Sequence, residues 1–303
     1  MPAIVVENLC RSWTAQAALD RVGFTVDPGE LFCITGPDAA GKSTLLRLLA
    51  GTLRPDSGTI AILGMDGVAR PWALRFAIGY MPQRFAIYAD LTCAENLEFY
   101  CSFYGLDGRR TRERVAELLS VTALEEFAHF RAGNLSGGMK QKLVLGCALV
   151  HDPPVLLLDE PTTGIDPLSR REFWRILVAA LGRGTTVVYS SVYLEEAARS
   201  NRIALMQRGR IAACAAPDAL LARVRGRRFR VAVDDPGPAA TALRACPAVL
   251  AVQTLGDGVA WLVRPDSGAA EAARAALAAA GILAEPEPAA PTLEDVIVET
   301  GER

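Results

Sequence analysis

The sequence predicts an α/β protein built on a parallel-core sheet, followed by a small α+β domain. Three observations carry that reading. Short apolar runs alternate with helical patterns over residues 1–222, as strand–helix–strand units do. A glycine-rich loop, Gly36 to Thr44, separates the run Leu31–Thr35 from a helical pattern with Leu45, Leu46, Leu48 and Leu49, closed by Gly51. A wholly apolar run, Val155–Leu158, ends in Asp159 and Glu160, and open α/β sheets bind ligands at the carboxyl ends of their strands.

Residues 3–6, 22–26 and 59–63 read as strands flanking the loop, with Trp13 in a polar turn between the first two. A flat aromatic there can stack on an adenine base or be buried in its own small sheet. The loop, Gly36-Pro37-Asp38-Ala39-Ala40-Gly41-Lys42-Ser43-Thr44, fits G-x-x-x-x-G-K-[ST]. Its glycines permit a turn whose N–H groups converge on phosphate at a helix N-terminus. Lys42 would reach the β- and γ-phosphates, and Ser43 would ligate Mg²⁺.

Residues 76–83 read as a strand that ends at Pro82 and delivers Gln83, whose amide can ligate Mg²⁺ and orient a water. A helix over 92–104 follows, with an aromatic face of Phe99, Tyr100, Phe103 and Tyr104 assigned to core packing, and then an amphipathic helix over 111–128. Leu135-Ser-Gly-Gly-Met-Lys-Gln-Lys142 runs into the helix 143–150. There Ser136 is an N-cap type, and Gly137 and Gly138 expose N–H groups to an anion. Asp159 would hold Mg²⁺ through water, and Glu160 would take the proton of an attacking water. Residues 185–190 read as a buried strand, and 202–206 with 210–213 as a closing hairpin.

Beyond the basic cluster Arg225-Gly-Arg-Arg-Phe-Arg230, which reads as a solvated linker, the pattern is strand 228–233, helix 238–245, strands 249–255 and 258–264, helix 267–280 and strand 282–285. The order βαββαβ predicts a ferredoxin-like unit. Pro286–Pro291 reads as a stiff linker to an amphipathic piece, 292–298.

Composition narrows the function classes. A net charge of −2 and a pI near 5.9 argue against attraction to nucleic acid over the whole surface. Only Lys42, Lys140 and Lys142 are lysines, so the loop lysine does not arise from a Lys-rich background. Seven scattered Cys without a C-x-x-C pair read as reduced, buried thiols. No signal peptide is expected, and no run approaches the roughly 18 apolar residues of a membrane span. A membrane role is therefore expected through a partner.

Taken in order, these motifs resemble the ATP-binding cassette (ABC) ATPases. Trp13 matches the adenine-stacking loop, Gly36–Thr44 the Walker A loop and Gln83 the Q-loop. Leu135–Gln141, here LSGGMKQ, matches the family signature; Val155–Glu160 match Walker B with its catalytic Glu, and Thr163-Gly-Ile-Asp166 the D-loop. The resemblance implies a P-loop NTPase sheet with an antiparallel β subdomain and a helical subdomain over about residues 84–150, within a nucleotide-binding domain of 1–222 and before an accessory domain of 223–303. It implies ATP and Mg²⁺ as cofactors, with Lys42, Gln83 and Glu160 catalytic, and Ser43, Gln83 and Asp159 at the metal. It also implies two cassettes meeting head to tail, so that ATP lies between one Walker A and the Ser136, Gly137, Gly138 and Asp166 region of the other.

The short C-terminal likeness is to exporter subunits whose permease is a separate polypeptide. That implies an ATP-hydrolysing export subunit, cytoplasmic and peripheral on the inner face of the membrane, docked through the segment between Gln83 and Ser136, with no nucleic acid partner. A soluble non-transport ABC ATPase and a nucleotide-binding cassette with little hydrolysis remain alternatives. One departure favours the last. Where the family places a γ-phosphate-contacting His after strand 187–191, this chain has Val192, and its two histidines, His129 and His151, read as surface or loop residues.

Overall fold

The computed structural model describes residues 1–13, 16–69, 71–84, 86–266 and 268–301. The chain divides into two compact units, Met1–Cys214 and Ala215–Arg303.

The first unit begins with β1 (Ile4–Trp13) and β2 (Gln16–Val26), then β3 (Leu31–Thr35), α1 (Lys42–Leu49), β4 (Ser57–Ile62), β5 (Met65–Asp66), α2 (Pro71–Leu74) and β6 (Ile78–Met81). There follow α3 (Cys93–Phe103), α4 (Gly108–Val121), α5 (Gly137–Leu149), β7 (Val155–Leu158), α6 (Pro167–Gly182), β8 (Thr186–Ser191), α7 (Leu194–Ala197), β9 (Arg202–Gln207) and β10 (Arg210–Ala215). Two sheets result, a four-stranded one in the order β2-β1-β4-β5 and a six-stranded one in the order β10-β9-β3-β8-β7-β6. In the larger, β9, β3, β8, β7 and β6 run parallel.

Its central strands β3, β7 and β8 are buried at every residue, as strands covered on both faces should be. The smaller sheet is antiparallel. Strands β1 and β2 run well past the apolar runs that announce them, because pairing continues through register shifts at Val6/Leu9 and Leu9/Arg11. Trp13 is therefore the last residue of β1, paired with Gln16, rather than a turn residue; the expected turn at residues 14 and 15 lies outside the described residues. Core side chains from both sheets and α1 form one cluster that includes Ile4, Leu19, Phe32, Leu45, Ile60 and Leu157.

Helix α3 starts at a capping box, in which Thr92 Oγ1 accepts from Glu95 N and the Glu95 carboxylate accepts from Thr92 N. Its aromatic face corrects the expectation of core packing. Tyr100 donates to Ala86 O, but Phe99 and Phe103 are exposed, and Phe99 meets the exposed Tyr88 edge-on. Periodicity identifies residues that share a face without saying what covers it. His151 lies in the turn after α5, as a loop residue should, and is half-buried there. Its ring stacks on Tyr104 at 3.7 Å and lines a cavity of about 520 Å³ with Phe76, Arg114 and Val150.

The second unit comprises α8 (Pro217–Leu221), β11 (Arg227–Ala232), α9 (Pro236–Ala245), β12 (Val249–Leu255), β13 (Gly258–Val263), α10 (Ala269–Ala279), β14 (Glu287–Ala289) and α11 (Leu293–Gly301). Its sheet has the order β12-β13-β11-β14 and is antiparallel throughout. Phe229, Trp261, Leu243 and Leu277 lie in its core.

Two expectations are corrected here. The fourth strand lies at 287–289, inside the supposed linker, rather than at 282–285. Pro288 cannot donate to a ladder, and it is tolerated because β14 is an edge strand. The basic cluster is mostly strand β11 rather than a solvated linker. Arg228 is buried against the Asp295 carboxylate at 2.8 Å, and Glu299 accepts from the Arg225 and Gly226 amides.

Five of the seven free thiols are buried; Cys10 and Cys214 are half-buried. Burial pushes Cys33 up to about 12 and Cys93 up to about 11. Among the described residues no helix is long and apolar enough to cross a membrane.

Candidate functional site

The loop between β3 and α1 is shaped by two glycines with positive φ. At Gly36 (φ 152) a Cβ would stand 2.1 Å from Met206 O, and at Gly41 (φ 105) one would stand 2.5 Å from Ala18 O. Only glycine lets the loop lie this close to β9 and β2. Gly41 is also the residue preceding α1 and has no side chain to cap it, so the first amides of α1 stay available to an anion.

Lys42 is buried and folded back on the loop. Its ammonium donates to Gly36 O at 2.9 Å and Pro37 O at 3.0 Å, and lies 3.9 Å from Glu160 Oε1. Helix α1 thus begins with a desolvated cation held by carbonyls and one carboxylate. A phosphate competes well for such a cation.

The acids come from the end of β7. Asp159 is buried, and its Oδ1 accepts from Ser43 Oγ at 3.0 Å and from Ser190 Oγ at 2.8 Å. Its side-chain partners are thus neutral hydroxyls, and its charge stays uncompensated by them. A hydroxyl and a carboxylate side by side, both hard oxygen donors, fit Mg²⁺. Glu160 has φ 48, the left-handed region, a conformation that costs a non-glycine residue on the order of 1–3 kcal/mol. Its Oε2 accepts from Gln83 Nε2 at 3.0 Å.

One pocket of about 360 Å³ is lined by Trp13, Ala17, Ala18, Asp38 to Thr44, Gln83 and Glu160, with Asp159 behind that lining on Ser43. Trp13 is half-exposed there, with the Arg11 guanidinium 4.9 Å from its ring centre. Burial, and then the nearby Asp159, push the Tyr80 phenol up to about 12.

The signature residues stand elsewhere. Ser136 caps α5 by accepting from Met139 N at 3.3 Å, while Gly137 is open to solvent. A Cβ on Gly138 would meet Ser169 Oγ at 2.3 Å, so α5 packs closely on the start of α6. Asp166 caps α6 through Ser169 N at 2.9 Å, and its bonds to Ser169 hold its carboxyl below the ordinary range. Within one chain, none of Ser136, Gly137, Gly138 and Asp166 lines the phosphate pocket.

Val192 directly follows β8. Two residues downstream of the motifs escaped the sequence reading. Ser190 touches both acids, donating to Asp159 and accepting from Glu160 N at 2.8 Å. Buried Glu196 accepts from Thr162 Oγ1 and Ser191 Oγ and pairs with Arg170. The available signal was polar residues closing an apolar strand, which names no partner.

The profile of the ABC transporter family matches residues 19–163. A protein of Escherichia coli (strain K12) named "Probable multidrug ABC transporter ATP-binding protein YbhF" is 44% identical over 205 residues, 68% of this chain and 36% of its own length. The chain thus spans about a third of that relative. The Nod factor export ATP-binding protein I of Paraburkholderia xenovorans (strain LB400) is 40% identical over 221 residues, 73% of each chain. A dimeric, post-hydrolysis ATP-binding cassette bound to ADP and Pi superposes with a TM-score of 0.66 at 27% identity, covering 70% of this chain and 97% of that one. On this agreement of motif order, pocket geometry and relatedness, the chain belongs to the ABC transporter ATP-binding family.

Proposed function

We propose that the chain is the ATP-binding and ATP-hydrolysing subunit of an ABC export transporter, driving a separate permease through ATP-dependent pairing of cassettes. The observation that carries this is the convergence of Lys42, Ser43, Gln83 and Glu160 on one pocket at a phosphate loop, with Asp159 bonded to Ser43 directly behind its lining. Export rests on the printed names of the relatives, a multidrug transporter and a Nod factor exporter.

Lys42 exchanges its carbonyl and carboxylate partners for the terminal phosphates. Ser43 and Asp159 would hold Mg²⁺, which supplies charge neutralisation for the leaving phosphate. Glu160, released by Lys42, holds the proton of the attacking water at its carboxylate, and Gln83 orients that water. Trp13 stacks on the base. Ser136, Gly137, Gly138 and Asp166 act on the pocket of a second cassette, since they lie outside their own.

The exposed aromatics Tyr88, Phe99 and Phe103 lie between Gln83 and Ser136 and suit a permease contact, which supports the reading of a subunit peripheral on the cytoplasmic face of a membrane. Val192 favours a second reading, a cassette that binds ATP and lends its signature to a partner's site while hydrolysing slowly at its own.

The test is Mg-ATP binding by the purified chain together with co-purification from detergent-solubilised membranes. Binding with a multi-span protein attached is expected. Binding without any membrane partner would leave a soluble ABC ATPase, and no binding would end the proposal.

A further inference from the structure

Successive residues of a strand point to opposite faces. Asp159 and Glu160 follow one another at the end of β7, yet both carboxylates face the phosphate loop, one against Ser43 and the other against Lys42 and Gln83. The alternation is broken by the left-handed backbone of Glu160.

What pins this turn is on the neighbouring strand. Strand β8 lies parallel to β7 with Tyr189 opposite Leu158, so the next residue, Ser190, comes level with Asp159. Ser190 is fully buried. Its Oγ accepts from the Glu160 amide and donates to Asp159 Oδ1, both at 2.8 Å. A hydroxyl has one proton to give. With that proton on Asp159, the chain runs one way, from Glu160 N–H through Ser190 O–H to Asp159.

We infer that Ser190 is a positioning residue of the nucleotide site, fixing through one hydroxyl both the metal-facing carboxylate of Asp159 and the turn that aims Glu160. This rests on reading the pocket as a Mg-ATP site. Because Ser190 is neutral, it orients Asp159 without cancelling the charge a divalent cation requires. Val192, two residues on, cannot donate a hydrogen bond, so the end of β8 acts on these acids through the Ser190 hydroxyl.

The experiment compares the full-length chain with Ser190→Ala, Ser190→Thr and Ser190→Val. The last two match in shape and differ in the hydroxyl. Binding of a fluorescent ATP analogue is titrated first in EDTA and then with rising Mg²⁺, and phosphate release is followed separately. Ala and Val should keep the metal-free affinity, while the Mg²⁺ needed for half-saturation rises and turnover falls, each about ten-fold, as for other residues that orient metal ligands. Thr should stay near the parent chain. Equal behaviour of Thr and Val, or an Ala variant with parental Mg²⁺ dependence, would overturn the role of the hydroxyl. A parent chain that ignores Mg-nucleotide altogether is a separate result and removes the site reading with it.

Discussion

Gln83 and Glu160 lie 77 positions apart and are joined by a 3.0 Å hydrogen bond from the amide Nε2 to the carboxylate Oε2. With Lys42 on its other oxygen, 3.9 Å away, Glu160 is held between the phosphate loop and Gln83. Glu160→Gln keeps the shape and removes the proton acceptor. ATP affinity should stay within about two-fold while phosphate release falls by about 10²–10⁴. Nucleotide titration beside a phosphate-release assay measures both.

Val192→His restores a donor after β8. One aligned electrostatic contact commonly lowers a barrier by about 2.7–4 kcal/mol, so turnover of the purified chain should rise by about two to three orders of magnitude. Equal and rapid rates in parent and variant would remove the idea that this cassette's own site is slow.

In the second unit, Arg228 and Asp295 form an ion pair with almost no exposed surface. Asp295 also accepts from Thr292 N, capping α11. Asp295→Ala leaves the covered guanidinium with no carboxylate, only the neutral side-chain acceptors Gln253 and, at 3.4 Å, Thr292. It should cost about 3–5 kcal/mol of that unit's stability. Calorimetry of the full chain should show one transition moved down while the nucleotide-stabilised transition keeps its place.

Burial lowers His151 to about 4, against weaker opposing effects of the Ile78 backbone and Asp152. The folded pKa lies below the unfolded value, so the unfolded chain binds the extra proton first. The contribution of neutral His151 is complete above about pH 6.5 and is lost as pH falls toward 4. Allowing for its partial contact with solvent, the loss is on the order of 2 kcal/mol. His151→Phe keeps a ring on Tyr104 and should flatten the stability profile between those limits, read by denaturant titration at several pH values.

Much of this architecture was legible in the residues. The apolar run 155–158 gave β7 with the same ends, because a strand buried on both faces leaves no polar residue to blur it. The phosphate loop was legible for a different reason, since Gly36 and Gly41 are dictated by close backbone approach and Lys42 by the charge a phosphate requires. Ser190 was not, because its partners come from another strand at a distance only the sheet register sets. The position of β14 was missed because a proline pair reads as a linker until the edge of a sheet is known. The exposure of Phe99 and Phe103 was missed because their spacing is the same whether a core or a partner covers them.

The close approach at Gly138 has a mechanical consequence. Ser169 fills the space a side chain would take and donates its amide to Asp166, so the first turn of α5 lies directly against the capped first turn of α6. A side chain at position 138 would have to displace Ser169, and with it the residue whose amide Asp166 holds, so that site tolerates nothing larger than a hydrogen.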